Sequence, residues 1–492
     1  MKKIHEVMSR SVYRPRFLSR SSGRTLAALA MAAAVLLMSP HPLSAADTDA
    51  AVQEEDDGRQ VQELEERVRE LEASLAAMKN GESLDPDAVK ELERRMEILS
   101  RELETLRIGE AAVEATEGFN GMGPAASKIY RTEKGVSIGG YGEMLFESFA
   151  GEADNGDPVD KDDRLDFLRA VVYLGYKFND RILFNSEIEF EHASTGKEGS
   201  VSVEFAYLDF MFRDAINARA GLLLVPMGFI NELHEPPIYL GARRPDIERL
   251  LIPTTWRENG AGVFGDLGPV TYRAYILAGL DGAGLGGNVT GFTAQGLRGG
   301  RQSGSKSIAE DFAFVARADW EITPGLTLGG SFYTGNSGQG AVAPTSGETI
   351  DARTDILDIH LQWRWRGLDF RALWVDVSVD QADLLNDYQG FTGANSVGEE
   401  LDGHYLQAGY DVLATVETRQ AVIPFVRYET FNTQKAVPTG FLSDPGNDVK
   451  VMTYGVSYKP IPKVVIKLDY QDYENAAGTG VDQWNLSTGF LF

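Results

Sequence analysis

Trp484-Asn-Leu-Ser-Thr-Gly-Phe-Leu-Phe492 is the stretch that decides the fold. Trp484, Leu486, Phe490 and Phe492 share one parity, while Asn485, Ser487 and Gly489 share the other; Thr488 and Leu491 are the exceptions. Successive side chains of a β-strand point to opposite faces, so this pattern makes a strand with one apolar and one polar face. A strand of this kind, last in the chain and ending on an aromatic residue, is what closes a transmembrane β-barrel. Bacterial outer-membrane barrels characteristically end this way.

The same period of two extends back to Gly135. Val464, Ile466, Leu468 and Tyr470 alternate with Val465, Lys467, Asp469 and Gln471. Leu357, Ile359, Leu361 and Trp363 alternate with Asp358, His360, Gln362 and Arg364, and Ile182, Phe184, Ile188 and Phe190 with Asn185, Glu187 and Glu189. A charged face opposite an aromatic one suits lipid outside and water inside. The connections alternate too. Short ones fall near 178–180, 213–215, 266–269, 321–325, 365–367, 416–420 and 459–463. Long Gly-, Asp- and Asn-rich ones fall near 149–163, 192–200, 226–256, 281–310, 335–353, 378–402, 432–449 and 474–482. This predicts an all-β, 16-stranded antiparallel transmembrane β-barrel over 135–492, with roughly 22 residues per strand and connection. Short turns are expected in the periplasm and long loops outside. Trp320, Trp363, Trp365, Tyr458 and Phe492 fall near the short turns and would form one interfacial girdle.

Ahead of the barrel, residues 1–46 read as a secretory signal peptide. Lys2, Lys3, Arg10, Arg14, Arg16, Arg20 and Arg24 precede an apolar run from Leu26 to Met38 and a small-residue site at Ser44-Ala45-Ala46. Residues 47–108 carry heptad spacing: Val61, Leu64, Val68, Leu71, Leu75 and Met78, then Val89, Leu92, Met96, Leu99, Leu103 and Leu106. The phase survives a break at Asn80-Gly81 and Asp85-Pro86, so a parallel oligomeric coiled coil and a helical hairpin within one chain both fit. Residues 109–134, with Gly118, Gly121, Gly123 and Pro124, read as a linker.

Composition removes other classes. The formal net charge is -26 with no basic stripe, which excludes nucleic acid as a partner. Without cysteine there is no disulfide scaffold, Cys-ligated zinc or thiol catalysis. Gly282-Ala-Gly284-Leu-Gly-Gly287 has dinucleotide spacing, but no helix pattern follows it. His234-Glu235 precedes Pro236-Pro237, which forbids a zinc-protease helix, and no Gly-x-Ser-x-Gly elbow occurs in a strand-to-helix setting. No enzyme activity, cofactor or metal site is expected. The acidic runs Asp160 to Asp163 and Asp444 to Asp448 read as solvated loop charge, with divalent cations beside lipopolysaccharide as the other reading.

Several segments resemble the phosphate-selective porin O and P family. They are Val136-Ser-Ile-Gly-Gly-Tyr-Gly-Glu143, Phe205-Ala-Tyr-Leu-Asp209, Ala218-Arg-Ala-Gly-Leu222, Pro226-Met-Gly-Phe-Ile-Asn231, Arg244-Pro-Asp-Ile-Glu248, Ile252-Pro-Thr-Thr-Trp256 and Glu258-Asn-Gly260. The resemblance implies a trimeric outer-membrane porin passing small solutes, with anions such as phosphate among them, and an inward-folded loop at 226–256. The basic residues there are Arg243, Arg244 and Arg249, with Arg257 beside them. Arg169, Arg219, Arg273, Arg317, Arg364, Arg371 and Arg427 fall on lumen-facing positions of predicted strands, and Arg298, Arg301 and Lys306 on a second long loop. These arginines either meet permeating anions through forked contacts or brace the wall against Asp209, Glu187, Glu189, Asp358 and Asp369. A sugar or neutral-nutrient channel with Tyr141, Tyr173 and Tyr275 as a sliding surface is a second reading. A barrel tethered to the cell wall by its coil is a third.

Overall fold

The computed structural model describes residues 118–119, 121–194, 196, 199–287 and 289–492. The expected signal peptide, the coiled coil and the first part of the linker lie outside the described residues. Sixteen strands form a closed barrel in which each pairs with its neighbours in sequence and the last returns to the first. They are β1 (Gly135–Phe149), β2 (Arg164–Asn179), β3 (Ile182–Glu191), β4 (Val201–Arg213), β5 (Ile216–Leu224), β6 (Arg257–Leu267), β7 (Val270–Ala278) and β8 (Phe312–Thr323). The second half comprises β9 (Leu326–Asn336), β10 (Arg353–Trp365), β11 (Leu368–Val379), β12 (Glu400–Tyr410), β13 (Ala421–Ala436), β14 (Asp448–Ile461), β15 (Val464–Asn475) and β16 (Gln483–Leu491). Every ladder is antiparallel, and β1 meets β16 with Tyr141 opposite Leu491 and Phe149 opposite Gln483. Closure leaves no unpaired sheet edge, the condition for strands to stand in hydrocarbon.

Six of the seven short turns have two residues; the turn between β12 and β13 is longer, at 411–420, where only 416–420 was expected. At Arg366-Gly367 both residues have positive φ, 48° and 90°. Such a turn matches the right-handed twist of the strands it joins, and glycine takes the position where a side chain is most strained. The long loops all lie at the other end of the barrel.

The faces follow the alternation read from the sequence. Ile359, Trp363, Trp374, Leu406, Tyr454 and Phe490 are exposed on the outside, while Asp358, His360, Arg371, Gln407, Thr453 and Asn485 are buried inside. Trp320, Trp363, Trp365 and Phe492 are exposed near the short turns, where a girdle was expected. Leu491, an exception to the terminal parity, points inward and joins the buried apolar cluster.

That cluster corrects the expectation of water throughout the interior. Much of it comes from loops: Val225, Met227, Phe229, Ile230, Ile247, Ile252 and Trp256 from one, Leu280, Phe292 and Leu297 from another. Short helices sit in these connections: α1 (Lys128–Arg131) before β1, α2 (Ile247–Leu250) and α3 (Ala382–Gln389). The lumen therefore has a packed apolar centre, supplied by chain that the strand pattern does not describe.

Candidate functional site

The connection between β5 and β6 folds inward and crosses the lumen. Asn231 fastens both ends where the chain leaves the wall. Its Nδ2 donates to the carbonyls of Val225 (2.7 Å) and Trp256 (2.8 Å), and its Oδ1 accepts from the Trp256 N–H (2.6 Å). Pro226, Pro236, Pro237 and Pro245 keep the path irregular. An irregular buried chain leaves amide groups without ladder partners, and these must be satisfied otherwise. Carboxylates do so. Glu248 accepts from the N–H groups of Phe229 and Ile230 at 2.7 Å each, Asp358 of β10 from Gly228, Glu429 of β13 from Ile247, and Asp469 of β15 from Ala242. Tyr239 donates to Glu143 of β1 (3.0 Å), His234 meets Glu187 of β3 (3.1 Å) and Arg371 of β11 donates to the Ile238 carbonyl (2.8 Å). The loop thus touches the wall around most of its circumference.

Most of the arginines singled out by sequence stand beside carboxylates. Arg219 grips Asp209 through two bonds of 2.7 and 2.9 Å and lies over the rings of Tyr207 and Phe264. Arg273 and Arg317 share Asp319. Arg364 and Arg371 share Asp369, both at 3.2 Å. Arg427 pairs with Glu429 (2.7 Å), Arg169 with Glu189 (3.2 Å), Arg257 with Glu204 (2.7 Å), Arg243 with Glu147 (2.6 Å) and Arg249 with Asp246 (2.8 Å). Arg317 also donates to the Gly228 carbonyl, and Arg427 to that of Arg243 (3.4 Å), so the wall cations brace the loop as well. Asp358, counted as an arginine partner from sequence, instead holds His360, Ser331 and the Gly228 amide.

Two arginines differ. Among the described residues, no hydrogen bond or ion pair reaches the side chain of Arg244, and its Nη2 is buried. Arg298, on the loop between β7 and β8, has a buried Nη1 in the same condition. Arg301 beside it donates only to backbone, at Arg298 and Thr255. Burial and the charges of Arg301, Arg249, Arg244 and Arg169 push the Arg298 guanidinium down to about 9. Burial and Arg257 bring Arg301 down to about 10. A cavity of about 460 Å³ opens against this group, lined by Arg249, Arg298, Arg301, Thr290, Thr293 and Ser303. Crowded cations with few counter-ions, surrounded by hydroxyls, hold a standing attraction for negative charge.

Sequence reasoning placed Arg298 and Arg301 on a second loop but had no means of bringing Arg298 within reach of the Arg244 charge. It also read 109–134 as a linker, whereas residues 121–131 pack inside the barrel. Met122, Ala125, Ala126, Ser127 and Ile129 are buried there. The one available signal was the apolar set Met122, Ala125, Ala126 and Ile129 within a glycine-rich stretch.

Among known proteins, no family model matches the chain. The resemblance to the phosphate-selective porin O and P family therefore rests on the segments quoted above. Solved structures that superpose on the barrel include OmpF of Salmonella typhi in complex with daunomycin, at TM-score 0.48 and 10% identity over 74% of this chain and 99% of that one. A loop L8 deletion mutant of OmpT from Vibrio cholerae gives 0.47 at 11% identity, covering 73% and 100%; the channel DcaP of Acinetobacter baumannii gives 0.46 at 12%, covering 73% and 97%. An uncharacterised protein of Aquifex aeolicus strain VF5 is 37% identical over 381 residues, which is 75% of this chain and 83% of the relative. At that identity and coverage, this chain belongs to the same family as the Aquifex protein.

Proposed function

We propose that this protein is an outer-membrane porin through which small polar solutes diffuse, with a preference for anions. The observation that carries it is the grouping of Arg298 and Arg301 at one cavity, with the charge of Arg244 acting on Arg298, in a lumen whose other named arginines are held by carboxylates. In a channel the charge at the narrowest point sets the barrier, and guanidinium groups with unused donors lower it for anions. Phosphate is the anion implied by the family resemblance. The reading assigns the barrel no enzymatic activity and no cofactor, and its short turns to the periplasm.

Reversal potentials across planar bilayers in a KCl gradient test it. The native protein should favour chloride, and the double substitution Arg244→Glu/Arg298→Glu should bring that preference to or past neutrality. A cation-selective current indifferent to both changes would sink the anion reading. Added phosphate should also reduce chloride current in the native channel more than in the double variant.

We further propose a homotrimer. On the outer wall Ala220 faces Ala261, Ala274 faces Ala316 and Ala318 faces Gly330, so a band of small residues crosses β5 to β9 between larger outward side chains such as Ile276 and Phe314. Bands of small residues let barrels approach closely, as they do for packed helices in membranes. Two of the three tyrosines of the neutral-solute reading stand in one row: Tyr141 lies 6.1 Å from Tyr173, which stacks on Phe205 at 6.0 Å. They are buried, however, and Tyr141 faces the His234 ring of the inward loop. That row does not offer solute a sliding surface in this arrangement.

A further inference from the structure

We propose that residues 121–131 form a gate that closes the short-turn mouth of the pore and must withdraw for full conduction, an inference that rests on the channel reading above. The segment lies inside the barrel, and its contacts with the strands from β1 to β5 fall close to the short-turn end. Lys128 Nζ donates to the Ile138 carbonyl at the start of β1 (3.0 Å), and Ile129 packs against Gly175 late in β2. Asn185, early in β3, donates to the Ala126 carbonyl (2.9 Å). Tyr130 donates to Asp209 late in β4 (2.7 Å), and Arg219 early in β5 donates to the Tyr130 hydroxyl (2.7 Å). Gly121 reaches Arg273 of β7. The strap therefore spans the mouth beneath β1 to β7.

Its inner side meets the inward loop between β5 and β6. Glu235 accepts from the backbone N–H groups of Ala125 (3.0 Å) and Ala126 (3.2 Å), and Gly121 and Gly123 lie against the carboxyl groups of Glu232 and Glu235. A Cβ on Gly123 would stand 2.5 Å from the Glu235 carboxyl carbon, so glycine is what allows the strap to seat. Solute passing Arg169 and Glu187 would next meet this layer.

The strap is built to leave. It belongs to no ladder of the barrel, so withdrawal breaks no strand pairing. A few polar contacts latch it: Glu235, Asn185, the Lys128–Ile138 bond and the Tyr130–Asp209–Arg219 group. Their partners on the wall are polar and would be satisfied by water in an open lumen. Glu133 and Lys134 are exposed, and Gly135, with φ 94° and open space around its Cα, supplies a hinge at the start of β1.

The absence of native cysteine makes a disulfide lock clean. Ala126→Cys/Asn185→Cys in the full chain, with bond formation followed by mass spectrometry, should show small conductance steps when oxidised and several-fold larger steps after reduction. Independently, Tyr130→Phe/Asn185→Ala removes two latches and should raise the open-to-closed ratio about tenfold. Equal steps in the oxidised lock, the reduced lock and the latch variant would overturn the gate while leaving the channel reading intact. No steps from any form, including a deletion of 119–131 that keeps its barrel, would overturn the channel reading and the gate with it.

Discussion

Asn231 holds both ends of the inward loop through three buried hydrogen bonds, and Gly228 turns the chain at φ 63° beneath Glu248. Each such bond contributes about 1 kcal/mol, and leaving the Trp256 N–H buried without an acceptor adds to the loss. Asn231→Ala should therefore cost about 3 kcal/mol of loop anchoring at roughly 1 kcal/mol per bond. Limited proteolysis within 226–256 checks it: cleavage should become fast in the variant while the barrel survives. Unchanged resistance would mean the wall contacts hold the loop without this residue. Gly228→Ala meets a different obstacle, since its Cβ would lie 2.6 Å from a Glu248 carboxyl oxygen in a left-handed backbone. The asparagine was inside a segment quoted from sequence, but nothing about its type or position revealed a double anchor. Its two partners are far apart in the chain.

The strap at 121–131 and the loop that receives it make the coupling between elements pH-dependent. Burial is the main cause that pushes Glu235 up to about 8, with Glu187 adding to it, while the Ala126 and Ala125 amides and Tyr173 act against it. With the strap withdrawn this carboxyl meets water and returns toward its ordinary value of 4.5. Because its value is raised in the docked state, that state binds more protons, and docking is strongest below about 4.5 and weakens as pH rises to about 8. Open probability should rise across that window in native channels and stay flat in Glu235→Gln, recorded at fixed voltage. A native profile matching the variant would remove Glu235 as the linked group. The strands were legible because each must present one face to lipid and one to the interior. The strap was not, since Gly121, Gly123, Pro124, Ala125 and Ala126 have the composition of a linker, and the residues that receive it, Glu235, Asn185 and Asp209 among them, are distant in the chain.

For the molecule as a whole, the band of small residues around Ala261 and Ala274 should carry the contact between copies. Ala261→Arg should shift the crosslinked species from trimer to monomer in detergent. Ile359→Arg, on the tryptophan-bearing side, should destabilise the barrel by about 2–4 kcal/mol near the midplane yet leave the oligomer in place. If both changes leave the trimer intact, the interface lies elsewhere on the wall. The strand order, the side of each connection and the outward residues were all readable in the sequence, because lipid acts on every strand separately and imposes a period of two. Which arginines are braced and which stand without partners was decided only by tertiary structure. Arg427 is held by Glu429 and the Arg243 carbonyl, Asp358 is taken by His360 and Gly228, and Arg244 keeps a buried Nη2 without a partner among the described residues. Charge pairing inside a closed barrel depends on which side chains face each other across it. That is set by the path of an inward loop through the closed barrel, which is not written in local spacing.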